Sequence, residues 1–293
     1  MGWKTVEITS DDYLRLYLNN LYIQRGEKKI LININDIDTL IIDSYSATLS
    51  VRLIQALVNA NVNIILHNAK HEPSAFIVPI QGNNMSLKVL EKQLQWTKIY
   101  KNNVWRKIVA NKIINQSRLL KNLNLLDEEN ELKFVEYRET IKGLDITNRE
   151  GHAAKLYWKL LFGPEFIRDT DALKFHVINS MLNFGYTVLR SYYTKSIVKK
   201  GLDSRISLFH KSVTNFFSLA SDLMEPLRVY VDEIVYKHKD SISFSLEIKE
   251  EIIKSFTSKI YYFDSYQFIN NLIDQSVDIL VRGEQWKEIF IWE

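Results

Sequence analysis

At 293 residues, with 46% hydrophobic residues, nine glycines and four prolines, the chain has the composition of a compact, helix-leaning globular protein, and it is long enough for about two domains. Its lack of cysteine excludes disulfides and thiolate metal sites and is compatible with a cytoplasmic location. No apolar run reaches the roughly eighteen residues that cross a bilayer. The opening MGWKTVEITSDD has no apolar signal core, and Val6 stands where a myristoylation signal wants Ser or Thr, so no membrane association is expected.

The net charge of +3 conceals a segregation. Residues 92–126 carry Lys92, Lys98, Lys101, Arg106, Lys107, Lys112, Arg118 and Lys121 and no acid. Residues 172–202 carry Lys174, Arg190, Lys195, Lys199 and Lys200, again without an acid. Such concentration is how a polyanion-binding surface is built. Lysine-rich outer faces of two amphipathic helices are the plainer alternative. The absence of acids favours nucleic acid.

The first eighty residues read as β-rich. WKTVEI and YLRLYL alternate with a period of two, and Asn19-Asn20 separates YLRLYL from LYIQ as a hairpin turn. KKILININ and IDTLIID supply two further strands. In SATLSVRLIQALVNAN the period changes, with Leu49, Leu53, Leu57, Ile54 and Val58 on one helical face. VNIILH and SAFIVPI return to strand. His67 and His71 are four apart, but they flank a loop and read as structural or solvated groups. Nothing in this half suggests catalysis, and strand edges suit it to dimerisation.

From residue 86 the chain reads as helical. Ser86 caps a long helix along which Leu87, Leu90, Leu94, Ile99, Val104, Ile108, Ile113 and Leu120 recur. Trp96, Tyr100 and Trp105 fall near that stripe and read as core before base-stacking platforms. DEENE at 127–131 marks an exposed break. Asn148 is a candidate N-cap, which places Glu150 in the following first turn, where a glutamate commonly means no more than capping. Residues 171–200 form a buried helix in which Gly185 implies a close neighbour, with His176 as an interior residue.

FHKSVTNFFSLASDLMEPLR, at 209–228, predicts a buried helix interrupted by one polar line of Asn215, Ser218, Asp222 and Glu225. Pro226 has no N–H to give the Asp222 carbonyl, so the helix bends or loosens beside the two acids. Buried carboxylates must be paired or hold a cation. A solvated stripe or a contact with Arg228 explains the same spacing. Beyond it Val231, Ile234 and Val235 continue an amphipathic helix, and 239–293 carries no motif with assignable chemistry.

Three segments then occur in order: N-R-E-G-H-A-A at 148–154, I-N-S-M-L-N-F-G-Y at 178–186, and L-F-H-K followed by S-D-L-M-E-P-L-R at 208–228. With WKTVEI and VNIILH, they make the chain resemble the CRISPR-associated integrase family, the first of the two core spacer-acquisition proteins, in its type II-like form. The resemblance implies an α+β fold, with a small β-rich dimerisation domain (1–85) and a larger α-helical catalytic domain (86–293). It implies one divalent metal, Mg²⁺ or Mn²⁺, held by Glu150, His210 and Glu225, with Asp222 in support. Two carboxylates and an imidazole suit such an ion.

The implied chemistry is phosphodiester hydrolysis by water, or attack by the 3′-hydroxyl of a captured fragment at the edge of a CRISPR repeat. Lys195, Lys199, Arg205 and Lys211 are candidates for holding DNA phosphates near the metal, and Lys98, Lys101, Arg106 and Lys107 for a wider basic path. Implied partners are DNA, a second copy forming a homodimer, the small second core adaptation subunit, a ring-forming accessory protein and an RNA-guided effector nuclease. A stand-alone nuclease for branched DNA and a non-enzymatic DNA scaffold are the rival readings.

Overall fold

A computed structural model describes the chain except for residues 1, 3, 70–72, 80–85, 170–175, 211–214, 257, 263–264, 285 and 287–293. His71 and Lys211 therefore lie outside the described residues. The N-terminal part runs β1 (Lys4–Ile8), β2 (Tyr13–Tyr17), β3 (Asn20–Arg25), β4 (Lys28–Asn33), β5 (Ile37–Ile42) and β6 (Thr48–Leu49), then helix α1 (Val51–Asn59), β7 (Asn63–His67) and β8 (Pro73–Ile77). One sheet has the order β1-β5-β7-β8, with β1, β5 and β7 parallel and β8 antiparallel. The other has the order β4-β3-β2-β6.

The expected hairpin is present, shifted by one residue. Tyr17 pairs with Asn20, so the turn is Leu18-Asn19, at φ 45° and 59°. Both turn positions at positive φ match the twist of the flanking strands. Leu49 is not on the helix as expected. It pairs with Leu14 in β6, because the Ser50 hydroxyl accepts the Leu53 N–H and starts α1 after it.

Every residue of β5 is buried. Leu40, Ile42 and Ile64 enter the N-terminal core, while Ile41 and Ile65 enter the core of the helical lobe. That alternation lets one sheet serve two cores. Polar groups join the same boundary: the Asn63 amide donates to Ser191 Oγ at 2.9 Å, and the Tyr192 hydroxyl donates to Asp38 at 2.9 Å.

The helical lobe comprises α2 (Ser86–Leu94), α3 (Lys98–Asn122), α4 (Glu128–Glu139), α5 (Arg149–Phe162), α6 (Val177–Lys199), α7 (Ser218–Leu223), α8 (Arg228–Lys237), α9 (Leu246–Ser255), a hairpin of β9 (Lys259–Tyr262) and β10 (Ser265–Phe268), and α10 (Ile269–Arg282). The single long helix expected from Ser86 is two. Thr97 caps α3 by accepting the Tyr100 N–H, and the break leaves Leu87, Leu94 and Ile99 exposed. DEENE is no break. Asp127 accepts the Asn130 N–H, and acids fill the first turn of α4, where the helix dipole favours them.

His176 is exposed at the start of α6, its ring edge-on to Phe166, and so is not interior. Gly185 does have a close neighbour. A Cβ there would lie 2.4 Å from a methyl of Val231 on α8. Val231, Ile234 and Val235 are all buried, as the amphipathic pattern requires.

Candidate active site

The site is assembled on α3. Trp105, Ile108, Lys112, Asn115 and Leu119 alternate steps of three and four and are all buried, which is one face of a helix turned inward. A lysine on that stripe has to find anions. Lys112 Nζ lies 2.5 Å from Glu150 Oε1 and 2.7 Å from Glu225 Oε2.

Glu150 is in the first turn of α5, as expected, but Asn148 does not cap that turn. Asn148 adopts φ 51°, and Asp145 takes its place, its two carboxylate oxygens accepting the N–H groups of Arg149 and Glu150 at 2.8 Å each. Asp145 thereby fixes the backbone that aims Glu150.

The segment expected as one buried helix from 209 to 228 is shorter and broken. Asp222 ends up near the end of α7, and Glu225 begins a 3-10 turn, Glu225–Leu227, before α8. Pro226 is the reason, since the missing N–H breaks the α-helical ladder there. Asn115 on α3 donates to the Pro226 carbonyl at 2.8 Å and ties the loosened turn to the site. Phe216, within the segment expected to be a buried helix, is 63% exposed.

Glu225 is 2% exposed. Burial works against its charge, but Arg228 and Lys112 outweigh burial and hold its pKa below the usual carboxylate range. Arg228 Nη2 is 2.7 Å from Glu225 Oε1, so the contact with Arg228 expected as an alternative is also present. Burial equally opposes the Lys112 ammonium, and the two glutamates outweigh it and raise its pKa. The Lys112 contact is a directed hydrogen bond at Glu150. At Glu225 it is ionic proximity, and among the described residues Oε2 accepts no directed hydrogen bond.

His210 follows the turn that Asp222 organises. Asp222, fully buried, accepts N–H bonds from Leu208, Phe209 and His210, and His210 Nδ1 lies 2.5 Å from its Oδ1. The bond to Asp222 raises the His210 pKa against the effect of burial, and the charges of Glu225 and Glu150 add to it. The ring packs edge-on to Trp105, which stacks on Phe209 at 4.5 Å. Its side chain remains 43% exposed. Trp105 is thus core, as its place near the apolar stripe implied, and also a wall of the site.

The basic candidates divide. Lys98 and Arg106 are exposed on α3, Lys101 donates to the Ser207 carbonyl at 3.0 Å beside the His210 turn, and Lys107 donates to the Trp286 carbonyl at 3.3 Å. Lys195 lies 3.5 Å from Asp38 and Lys199 lies 3.7 Å from Asp274, at a cavity between the lobes. Arg205 is paired with Asp203 at 2.5 Å. His67, expected to be structural, is buried 3.0 Å from Asp43.

Lys112, Asn115 and Asp145 were not singled out from sequence. Lys112 carried a signal: it is seven residues after Trp105 and four after Ile108, on the buried face of its helix. Among the described residues no three carboxylate or imidazole side chains gather closely enough to hold a metal ion as they stand, with Lys112 between the two glutamates. The donor chemistry nonetheless fits a divalent cation. Two carboxylates face one positive centre, one buried carboxylate oxygen accepts no directed hydrogen bond, and a carboxylate fixes the imidazole through its other nitrogen.

Fold and site together define an α+β protein whose charged centre is built from α3, α5, the α7–α8 turn and the His210 turn. Residues 6–243 match the model of the family described as CRISPR associated protein Cas1, and the chain belongs to that family. It is 29% identical over 263 residues to the CRISPR-associated endonuclease Cas1 of Neisseria meningitidis serogroup C (strain 8013), covering 87% of this chain and 83% of that one. It is 28% identical over 290 residues to a CRISPR-associated endonuclease Cas1 of Francisella tularensis subsp. novicida, covering 90% of each.

Among solved structures, a casposase bound to integration product superposes with a TM-score of 0.78 at 20% identity, over 97% of this chain and 92% of that chain. A CAS1 protein from Thermotoga maritima gives 0.75 at 17% identity, over 99% of each chain. A chain of a Cas6-RT-Cas1–Cas2 complex gives 0.74 at 17% identity, over 99% of this chain and 36% of that one. No helix among the described residues is long and apolar enough to cross a membrane.

Proposed function

We propose that the chain is a divalent-metal-dependent DNA endonuclease and integrase of spacer acquisition, in the type II-like form suggested by its ordered segments. One observation carries this reading: Glu150 and Glu225, from separate elements of a Cas1-family chain, converge on one cationic centre beside a carboxylate-held His210. The description of its relatives as CRISPR-associated endonucleases supports the same class.

Glu150, Glu225 and His210 would hold Mg²⁺ or Mn²⁺, which when bound polarises a phosphoryl oxygen and stabilises charge on a leaving 3′ oxygen. Asp222 is a positioning residue, fixing the His210 ring and the turn that carries it. Trp105 limits where that ring can swing. Lys101, beside the His210 turn, and the exposed Lys98 and Arg106 on the same helix offer cations along α3 by which DNA phosphates would be held. In joining, the oxygen of a fragment 3′-hydroxyl bonds to phosphorus, the bond to the repeat strand's 3′ oxygen breaks, and the departing oxygen gains a proton as the attacking one loses its own.

Homodimerisation is proposed through the N-terminal lobe, whose second sheet exposes Tyr13, Tyr17, Ile30 and Leu31. Association with the small second core subunit is proposed from the Cas6-RT-Cas1–Cas2 assembly that contains a similar chain. The ring-forming accessory protein and the RNA-guided nuclease are proposed from the sequence resemblance.

The test incubates the protein and the second core subunit with a labelled fragment and a repeat-bearing plasmid, with Mn²⁺, Mg²⁺ or chelator. Metal-dependent joined product is expected. Cleavage without joining would instead indicate the stand-alone nuclease, and bound but unchanged DNA the scaffold.

A further inference from the structure

Lys112 is a buried cation within direct contact of both glutamates. Oxygen ligands lie at about 2.0–2.6 Å from Mg²⁺ or Ca²⁺. The Lys112 ammonium nitrogen lies 2.5 Å and 2.7 Å from oxygens of the two glutamates that the functional reading assigns to a metal. A divalent ion held by those same oxygens and the ammonium would need overlapping space, and two positive centres that close repel strongly at low dielectric. One has to leave.

The ammonium can leave without disturbing the fold. It sits at the end of a flexible four-carbon stem, whereas its backbone lies within the 25-residue helix α3. Neighbouring groups on the same helix are otherwise engaged: Asn115 holds the Pro226 carbonyl, and Asn111 accepts from the Trp286 indole at 3.1 Å. Arg228 stays with Glu225 through the other carboxylate oxygen, so departure of Lys112 does not strip Glu225 of all positive charge. Lys112 faces Glu225 Oε2 at 2.7 Å, and among the described residues that oxygen accepts no directed hydrogen bond, so another cation can take the place of Lys112 there.

We propose that Lys112 is an exchangeable internal counter-cation, which holds Glu150 and Glu225 together in the metal-free protein and gives up its position when a divalent cation takes those carboxylates. The proposal rests on the assignment of Glu150 and Glu225 as metal ligands. Lys112 then performs two tasks. It prevents the two facing carboxylates, one of them buried, from repelling each other before metal arrives, and it sets metal affinity by competition. Replacing a monovalent by a divalent cation also leaves the cluster more positive, which favours an incoming phosphodiester.

The experiment is Mn²⁺ titration by calorimetry of wild type, Lys112→Met and Glu225→Gln without DNA, with thermal melting in chelator and in Mn²⁺. Lys112→Met should bind Mn²⁺ at least about tenfold more tightly than wild type. It should also melt lower than wild type in chelator and gain more on adding Mn²⁺. Equal or weaker affinity in folded Lys112→Met overturns the exchange. If Glu225→Gln binds Mn²⁺ as wild type does, the ligand assignment itself fails, and the two failures are thereby separated. A wild-type measurement covers the case in which Lys112→Met does not fold. Amine labelling read by mass spectrometry should modify Lys112 more in Mn²⁺ than in chelator, and no increase overturns the proposal.

Discussion

Helices α3 and α6 carry the two basic runs that contain no acid, and the fold disposes of their cations in different ways. On α3, Lys98 and Arg106 face solvent, Lys101 holds a carbonyl next to the His210 turn, and Lys112 lies between the partly buried Glu150 and the buried Glu225. On α6, Lys195 faces Asp38 from β5, and Lys199 and Lys200 face Asp274 and Asp278 from α10. A run free of acids therefore says nothing about whether acids will be brought to it. Counter-charge arrives from remote parts of the chain, as it does along α6.

The largest effect tests the inner end of α3. Glu150→Ala, His210→Ala and Glu225→Ala should each reduce fragment joining by on the order of a thousandfold or more while DNA binding persists. A gel-based joining assay beside a filter-binding measurement checks this, and near wild-type joining by any one variant would remove that residue from the ligand set.

The next effect separates the outer end of α3 from α6. Neutralising Lys98, Lys101, Arg106 and Lys107 together should lower the slope of log K against log salt by up to about 3–4. Neutralising Lys199 and Lys200 should leave that slope close to its wild-type value. Fluorescence anisotropy across a salt series reads both, and equal changes for the two sets would erase the contrast.

A third test compares two buried acids near α8. Glu225 has two cations and a lowered pKa. Asp232 accepts from the hydroxyls of Tyr157 and Tyr186, and burial, only partly offset by those bonds and by Arg228 and Arg168, raises it to about 6 from its ordinary 3.8. The folded state thus binds the Asp232 proton more tightly than the unfolded chain does. Its contribution to stability is fully present below the unfolded pKa and is lost as pH rises to about 6, by up to about 3 kcal/mol. Asp232→Asn should remove that slope, as urea midpoints between roughly pH 4 and 7 would show. A slope shared by wild type and variant would assign it to other groups.

The smallest effect returns to α6. Disrupting the partly exposed pairs at Lys199 and Lys200 should cost only about 0.2–1 kcal/mol each in urea unfolding. A loss of several kcal/mol would mean that these pairs lock the end of α6 to α10 far more strongly than exposed ion pairs do.

Much of this was legible in the chain. Strand alternation placed the N-terminal strands, and Pro226 announced the loosened turn at Glu225. The polar line through Asp222 and Glu225 marked two acids in an apolar segment, and both are buried. Legibility stopped where one local signal overrode another. Leu87, Leu94 and Ile99 fit a helical period, yet the Thr97 cap divides that helix and leaves them exposed. Asn148 is a good capping residue by type, but Asp145 reaches the free N–H groups first.

What the sequence determined by itself was the type of most elements and many of the residues that share a face, because backbone periodicity and capping act over a few neighbouring positions. What only the tertiary structure decided was which charge meets which. Lys112 lies 38 positions from Glu150 and farther still from Glu225, yet packing of α3 against α5 and the Pro226 turn makes them neighbours. Coulomb energy depends on distance through space and on exclusion of water, and neither is set by separation along the chain.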